Sequence, residues 1–315
     1  MKKLLLGLLC AAMAFLAIPA LAYDVSILQH ALHPSLDAAA KGFQDVLTES
    51  GLDVKINPIR YSQGNPTTSQ QNVNDIIDEN PALILAVSTP SAMHLVAKIK
   101  EIPILFTAVT DPVAAELVAS LDKPGGNVTG TSDMSPLADL VGIIREIHPG
   151  AKTIGTIYNT GEVNSVVQIE IVKKAAADKG FTLVEAPTAD SAGVTQAAQN
   201  LVGNADVILI VTDNTAIASY EAILKVALDH KIPLYPAEAD SLAKGGTLTL
   251  SLDYYELGRQ TGQMGVKILK DGVKPADLPV EFQKNFKLVY NSKYLEQIGQ
   301  TLPKSVLDRA TEVSQ

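Results

Sequence analysis

The chain has 315 residues, 47% of them apolar, and a formal net charge of −9. Single hydrophobic cores stop growing at roughly 250–300 residues, so this length suits two domains. The acidic balance argues against nucleic acid and anionic membrane surfaces as partners.

Lys2 and Lys3 precede an apolar stretch from Leu4 to Ile18, and Ala20-Leu21-Ala22 supplies a small-x-small cleavage pattern. The stretch is shorter than the roughly 20 residues a membrane span needs. Residues 1–22 therefore read as a cleavable export signal, and the mature chain as periplasmic. Cys10 lies within that segment, but Leu9 stands where a lipid-anchor signal wants a small residue. Losing 22 of 315 residues leaves 293 with no cysteine and, with two lysines gone, a net charge of −11. A chain without thiols is held together by core packing alone.

The elements then alternate along the chain. A short strand is expected over Val25–Gln29 and a helix over Pro34–Ser50, with Leu36, Ala39, Ala40, Phe43 and Leu47 on one face and Gly51 as its stop. A strand over Val54–Arg60 and a helix over Asn65–Glu79 follow. Four apolar runs, around ALILAVSTPSA, IPILFTAVTDPVAA, TIGTIYNTGEVNSV and VILIVTDNTAI, each end in small polar residues and then turn helical. Such runs read as strands buried on both faces of a parallel sheet. A helix over Val113–Leu121 follows the second run, and Pro124-Gly125-Gly126 then marks a turn. The second series runs strand, helix Ser165–Lys179, strand Phe181–Glu185, helix Val194–Val202, strand Val207–Val211, helix Thr215–His230 and strand Ile232–Tyr235. A late amphipathic helix spans about Tyr254 to Asp271, and Phe286–Tyr290 is strand-like.

Five separated segments carry a specific resemblance: ILQHALHPSLDAAAKGF, FTAVTDPVAAELVASLDKPGGNVTGTSD, YNTGEVNSVVQIE, VTDNT and LDYYELGRQTGQMGVKIL. Together they resemble the tryptophan/tyrosine-type substrate-binding proteins of bacterial ABC importers, in order and over essentially the whole mature chain. The resemblance implies a type I periplasmic-binding-protein fold: two doubly wound α/β lobes with parallel sheets, joined by a three-crossing hinge. It implies an aromatic amino acid as the usual ligand and a membrane permease as partner. Relatives often carry an acidic residue before the His-Pro of the first segment, whereas Leu32 stands there in this chain. The late helix, arriving after the second series is complete, places residues 23–131 plus 254–277 in the first lobe. Residues 132–253 plus 278–315 fall in the second.

The residues support a receptor independently. Strand carboxyl ends in parallel α/β folds face the ligand crevice, beside helix N-termini that offer unpaired N–H groups. An amino acid needs donors for its carboxylate, acceptors for its ammonium and a slot for its side chain. Ser88 and Thr89 end a buried strand, and Pro90 fits the first helical turn; Asn164 and Ser165 look equivalent in the second lobe. Capping is the alternative role for each. Ammonium candidates are Asp111, Asp213, Glu238 and Asp253; Asp111 fits a cap, while Asp253 lies at a strand end beside the expected hinge. Gln29, Thr107, Asn214 and Tyr158 complete the candidate site, with Tyr61 and Phe106 as further side-chain contacts.

Other classes find less support. No nucleophile stands with a base, so catalysis is not expected. His30 and His33 have His-x-x-His spacing, but no cysteine or tight carboxylate partner accompanies them, so no metal is expected. No phosphate loop ends in GK[ST], and no cofactor is implied. Absence of tryptophan and 5% aromatics disfavour a sugar. The expected protein is a monomer binding an amino acid. The alternatives are a branched-chain amino acid or other small solute as ligand, or a sensor without transport.

Overall fold

The structure is a computed structural model that describes residues 22–313. The expected export signal, Ala22 excepted, lies outside the described residues. No described helix is long and apolar enough to cross a membrane.

The first lobe opens with β1 (Tyr23–Gln29), α1 (Pro34–Glu49), β2 (Val54–Ile56), β3 (Arg60–Tyr61) and α2 (Pro66–Glu79). It continues through β4 (Leu83–Val87), α3 (Thr89–Lys98), β5 (Ile104–Thr107) and β6 (Val128–Ser132). The second lobe opens with α4 (Leu137–Ile147), β7 (Thr153–Asn159), α5 (Val163–Asp178), β8 (Thr182–Thr188) and α6 (Val194–Leu201). There follow β9 (Val207–Ile210), α7 (Asn214–Ala218), α8 (Tyr220–Asp229), β10 (Leu234–Pro236), α9 (Ala239–Lys244) and β11 (Leu248–Ser251). The chain ends with α10 (Tyr254–Asp271), β12 (Glu281–Phe282), β13 (Lys287–Tyr290), α11 (Ser292–Ile298), α12 (Lys304–Leu307) and β14 (Thr311–Glu312).

The first sheet has the order β12-β6-β5-β4-β1-β2, with β3 also on β1, and its pairs are parallel. Strand residues alternate between its two faces. Leu83, Leu85 and Val87 pack with Phe43, Leu47, Leu257 and Met264 of α1 and α10. Ile84 and Ala86 point the other way, into Val73, Ile76 and Leu95 of α2 and α3. The second sheet, β10-β9-β7-β8, is likewise parallel. There Val207 and Leu209 join Ile144 and Val172, while Ile208 and Ile210 join Leu201 and Ile223. A small third sheet, β11-β13-β14, closes the second lobe. Helices on both faces of parallel sheets are the doubly wound arrangement.

Helix ends follow local chemistry. Asn65 caps α2 by accepting from the N–H groups of Thr67 and Thr68, with Pro66 next in the chain. Gly272 stops α10 in a left-handed conformation at φ 67°. Helices α1 and α10 pack at backbone distance: a Cβ on Gly258 would lie 1.9 Å from the Ala39 carbonyl oxygen, and one on Gly42 2.1 Å from that of Tyr255.

The chain crosses between lobes three times, after β6, between β11 and α10, and between β12 and β13. Gln283 ties the last two crossings. Its amide donates to the Asp253 carbonyl at 2.7 Å and accepts from the Asp253 N–H at 3.2 Å.

Four expectations need correction. Residues 278–282 belong with the first lobe, because β12 pairs with β6 and Leu278 and Val280 enter that lobe's cores. The helix expected at Val113–Leu121 is a run of turns, since Asp111 Oδ1 accepts from the N–H groups of Val113 and Ala114 and closes an Asx turn. The helix expected over Thr215–His230 breaks at Ser219 into α7 and α8. The strand expected over Val54–Arg60 is two short pieces, β2 and β3.

Candidate functional site

The carboxyl ends of both sheets face one cleft, bounded by both lobes and the hinge. From the first lobe it receives Ser88 and Thr89 after β4, Ala108 and Thr110 after β5, and the Ala31–Leu36 turn into α1. Asn164, Thr212, Asn214, Ile217 and Ala218 form the facing wall, and Glu238, Asp133 and Tyr254 line the hinge side. Ser88 lies 3.5 Å from Asn214 and Thr110 3.5 Å from Thr212 across the cleft, so the lobes touch.

The β4 and β5 ends are strained. Ser88 has φ 81° and Ala108 φ 54°, left-handed conformations that non-glycine residues adopt at a cost and that cluster at ligand sites. Ser88 makes no side-chain cap to α3. It sets the N–H groups of that helix's first turn, which have no intrahelical acceptors, at the cleft wall.

Asp133 is 4% exposed and accepts from the Thr110 hydroxyl at 3.0 Å and the Tyr254 hydroxyl at 3.0 Å. Burial raises its carboxyl above the usual range, against the effect of these two bonds. Among the described residues lining the cleft, none is lysine or arginine.

Asn164 is bound in one orientation. Its amide nitrogen faces Glu162 Oε2 at 3.2 Å, Ser165 Oγ at 3.2 Å and the Thr212 carbonyl at 2.9 Å. Its Oδ1 is buried with no partner, so its open valence is an acceptor. The donor and capping roles expected for it are not formed; Glu162 occupies the cap position of α5. Glu162 in turn receives the backbone and side-chain groups of Asn214 and Thr215 and so fixes the start of α7.

The expected site residues divide. Ser88, Thr89, Asn164 and Asn214 line the cleft. Ser165 is buried behind Asn164. Asp213 turns inward, receiving the N–H groups of Asn159 and Ala216 at 2.7 Å each; burial, then the nearby Glu162, push its carboxyl up to about 6. Gln29 donates to the Ala31 carbonyl at 2.8 Å and to Asp37 at 2.7 Å, shaping the turn rather than the cleft surface. Thr107 is buried and accepts from Thr131 at 3.1 Å. Tyr158 sits in the second-lobe core and donates to Glu185 at 2.7 Å. Phe106 lies in the first-lobe core. Asp253 caps α10 through the Glu256 N–H at 3.2 Å and pairs with Lys287 at 3.4 Å, outside the cleft lining.

Sequence reasoning missed Asp133, Tyr254, Thr212 and Ser35 at the cleft. Asp133 had one usable signal, its place directly after the polar run Thr129–Ser132 at the first crossing.

The family model described as ABC transporter substrate binding protein matches residues 24–314. A tyrosine-binding protein from Clostridioides difficile (strain R20291) is 37% identical over 279 residues, covering 87% of this chain and 80% of that one. An ABC domain from Streptococcus pneumonia in complex with L-Trp superposes with a TM-score of 0.89 at 34% identity, over 93% of this chain and 100% of that one. The ligand-free, open structure of a substrate binding protein with adhesive properties from Clostridium difficile gives 0.71 at 37% identity, over 93% and 99%. The touching lobes thus lie nearer in backbone arrangement to the L-Trp complex than to the open form, although identity runs the other way. A match across nearly the whole described chain and a relative this similar place it plainly: the chain belongs to the ABC transporter substrate binding protein family.

Proposed function

We propose that this protein captures an aromatic amino acid in its inter-lobe cleft and delivers it to the membrane permease of an ABC importer. The observation that carries this reading is the cleft's charge arrangement. A buried carboxylate, Asp133, lines the cleft with no lysine or arginine beside it, and the N-terminal turn of α3 lines the same cleft. A zwitterion supplies both missing partners: its ammonium meets Asp133 and Asn164 Oδ1, and its carboxylate meets Ser88, Thr89 and the α3 N–H groups. Leu32, Leu36, Ile217 and Ala218 offer an apolar surface to the side chain. The tyrosine-binding and L-Trp-bound relatives support an aromatic one.

The protein works as a monomer and commits no chemistry. Closure provides the grip, and micromolar affinity corresponds to about −8.2 kcal/mol. Export uses residues 1–22 as a leader cleaved after Ala22, which N-terminal sequencing of exported protein tests. A thermal-shift screen of mature protein against the twenty amino acids tests the receptor reading. Ligand at about 100 times its dissociation constant adds roughly 2.7 kcal/mol of stability. Tyrosine, tryptophan or phenylalanine should lead the screen. A screen led by leucine, isoleucine or valine moves the ligand to the branched-chain class, and tight binding of a sugar or metal alone overturns the reading.

A further inference from the structure

We infer that Ser35 and Glu238 form a clasp that holds the two lobes shut, and that Ser35 is a positioning residue governing how long any ligand stays bound. The inference rests on the receptor reading but concerns closure rather than ligand contact.

The cross-cleft polar contacts are unequal. Ser88 to Asn214 and Thr110 to Thr212 both stand at 3.5 Å, the outer limit of a hydrogen bond. Ser35 Oγ lies 3.0 Å from Glu238 Oε2 and 2.5 Å from Asp240 Oδ2, at a sequence separation of more than 200 residues. Both members of the first pair are almost fully buried, Ser35 at 2% exposure and Glu238 at 1%. The hydroxyl carries one proton, so it donates to either Glu238 or Asp240 at any moment, and in this largely buried setting each is a charge-assisted bond, about twice as strong as a neutral one.

The carboxylate is also preset. Within its own lobe Glu238 caps α9, taking the Ser241 N–H at 2.8 Å and the Asp240 N–H at 2.7 Å. On the other side it meets the first turn of α1, a helix of 16 residues whose positive dipole end faces it. His33, just before that helix, places its buried, unpartnered Nε2 4.0 Å from Glu238 Oε1. One carboxylate therefore sits between helix starts that belong to different lobes. Opening the cleft removes Ser35 and α1 from it and leaves only the α9 half of its partners. Closing restores them without any group of the ligand taking part. The clasp thus adds to the barrier against release and leaves the encounter with the open form unchanged.

Stopped-flow binding of L-tyrosine and L-tryptophan to the parent, Ser35→Ala and Ser35→Thr tests this. Ser35→Ala should release both ligands at least about tenfold faster by the same factor, with association rates changed less than about twofold. Ser35→Thr keeps the hydroxyl and should restore slow release. Unchanged release, a loss confined to association, or factors that differ strongly between the two ligands would overturn the clasp. A parent that binds neither amino acid sinks the receptor reading instead. Energy transfer between labels at the exposed Asp78 and Asn200 positions, in ligand-free protein, then reads the clasp directly. Ser35→Ala should populate the closed arrangement less than the parent, and equal populations would overturn it.

Discussion

Tyr254, the first residue of α10, donates its hydroxyl to Asp133 at 3.0 Å, joining the second hinge crossing to the carboxylate that follows the first. The bond is buried, and it turns one Asp133 oxygen while Thr110 holds the other. The acid is thereby oriented but not neutralised.

Asp133→Asn should weaken amino acid binding by about 10- to 100-fold, the loss expected for one charge-assisted bond. Fold stability should hold or rise, because burial raises this carboxyl and its ionised form costs stability at neutral pH. The sign for binding follows. The ammonium needs the carboxylate, so affinity is highest above the raised pKa and falls as pH drops through it. Calorimetry over a falling pH series measures both parent and variant, and a pH-dependent loss as large in Asp133→Asn as in the parent would contradict the assignment.

Asp253→Asn should leave binding unchanged. The residue caps α10 and pairs with the exposed Lys287, and asparagine caps equally well. A stability change within about 0.5 kcal/mol is expected, since exposed ion pairs contribute little. A tenfold loss of affinity would return Asp253 to the site.

Ser88→Gly should raise stability by about 0.5–1 kcal/mol, as relief of the strain at φ 81° outweighs the added freedom of the unfolded chain. The same change should reduce affinity by removing a hydroxyl from the cleft. Urea unfolding and calorimetry on one preparation reveal the opposition, which a simple packing role would not produce.

Gly258→Ala should cost about 2–3 kcal/mol despite alanine's better helix propensity. Its Cβ would overlap the Ala39 carbonyl oxygen at 1.9 Å and push α10 off α1. Thermal unfolding checks this, and a neutral result would mean that the helices separate easily.

His148 gives the fold an acid-side weakness. Burial lowers its pKa to about 4, with Asp206 offsetting part of the effect, and its Nε2 lies 2.7 Å from the Tyr235 hydroxyl. The unfolded ring protonates near pH 6.5, so its contribution is complete above that pH and is lost as pH falls toward 4. Allowing for partial exposure, the loss is on the order of 2 kcal/mol. Denaturant unfolding at pH 7 and pH 5 should show a smaller drop for His148→Gln than for the parent.

The strands were legible because burial on both faces leaves a plain mark. LILAV and VILI carry no polar residue, and β4 and β9 are fully buried. Ser88, Thr89, Asn164 and Asn214 were legible as the polar residues that end or follow such strands. Asp133 was hidden because β6 reads Val-Thr-Gly-Thr-Ser, a strand whose threonines bond to neighbouring elements and break the apolar run. Ser35 was hidden by its ordinary place in a helix's first turn; its partner lies more than 200 residues away. Asp213 misled for the opposite reason. A strand-end acid beside a helix start can face the cleft or the N–H groups behind it, and only the position of Glu162 and Asn159 decides.

The two bonds between Gln283 and the Asp253 backbone reproduce, with a side-chain amide, the paired bonding of neighbouring antiparallel strands. Two of the three connections between lobes are in effect one ribbon, and the segment after Ser132 is the other support. A body carried on two supports swings about the line through them and does not twist freely. Opening of the cleft should therefore be a rotation about that line, with the edge opposite it as the expected mouth for solutes.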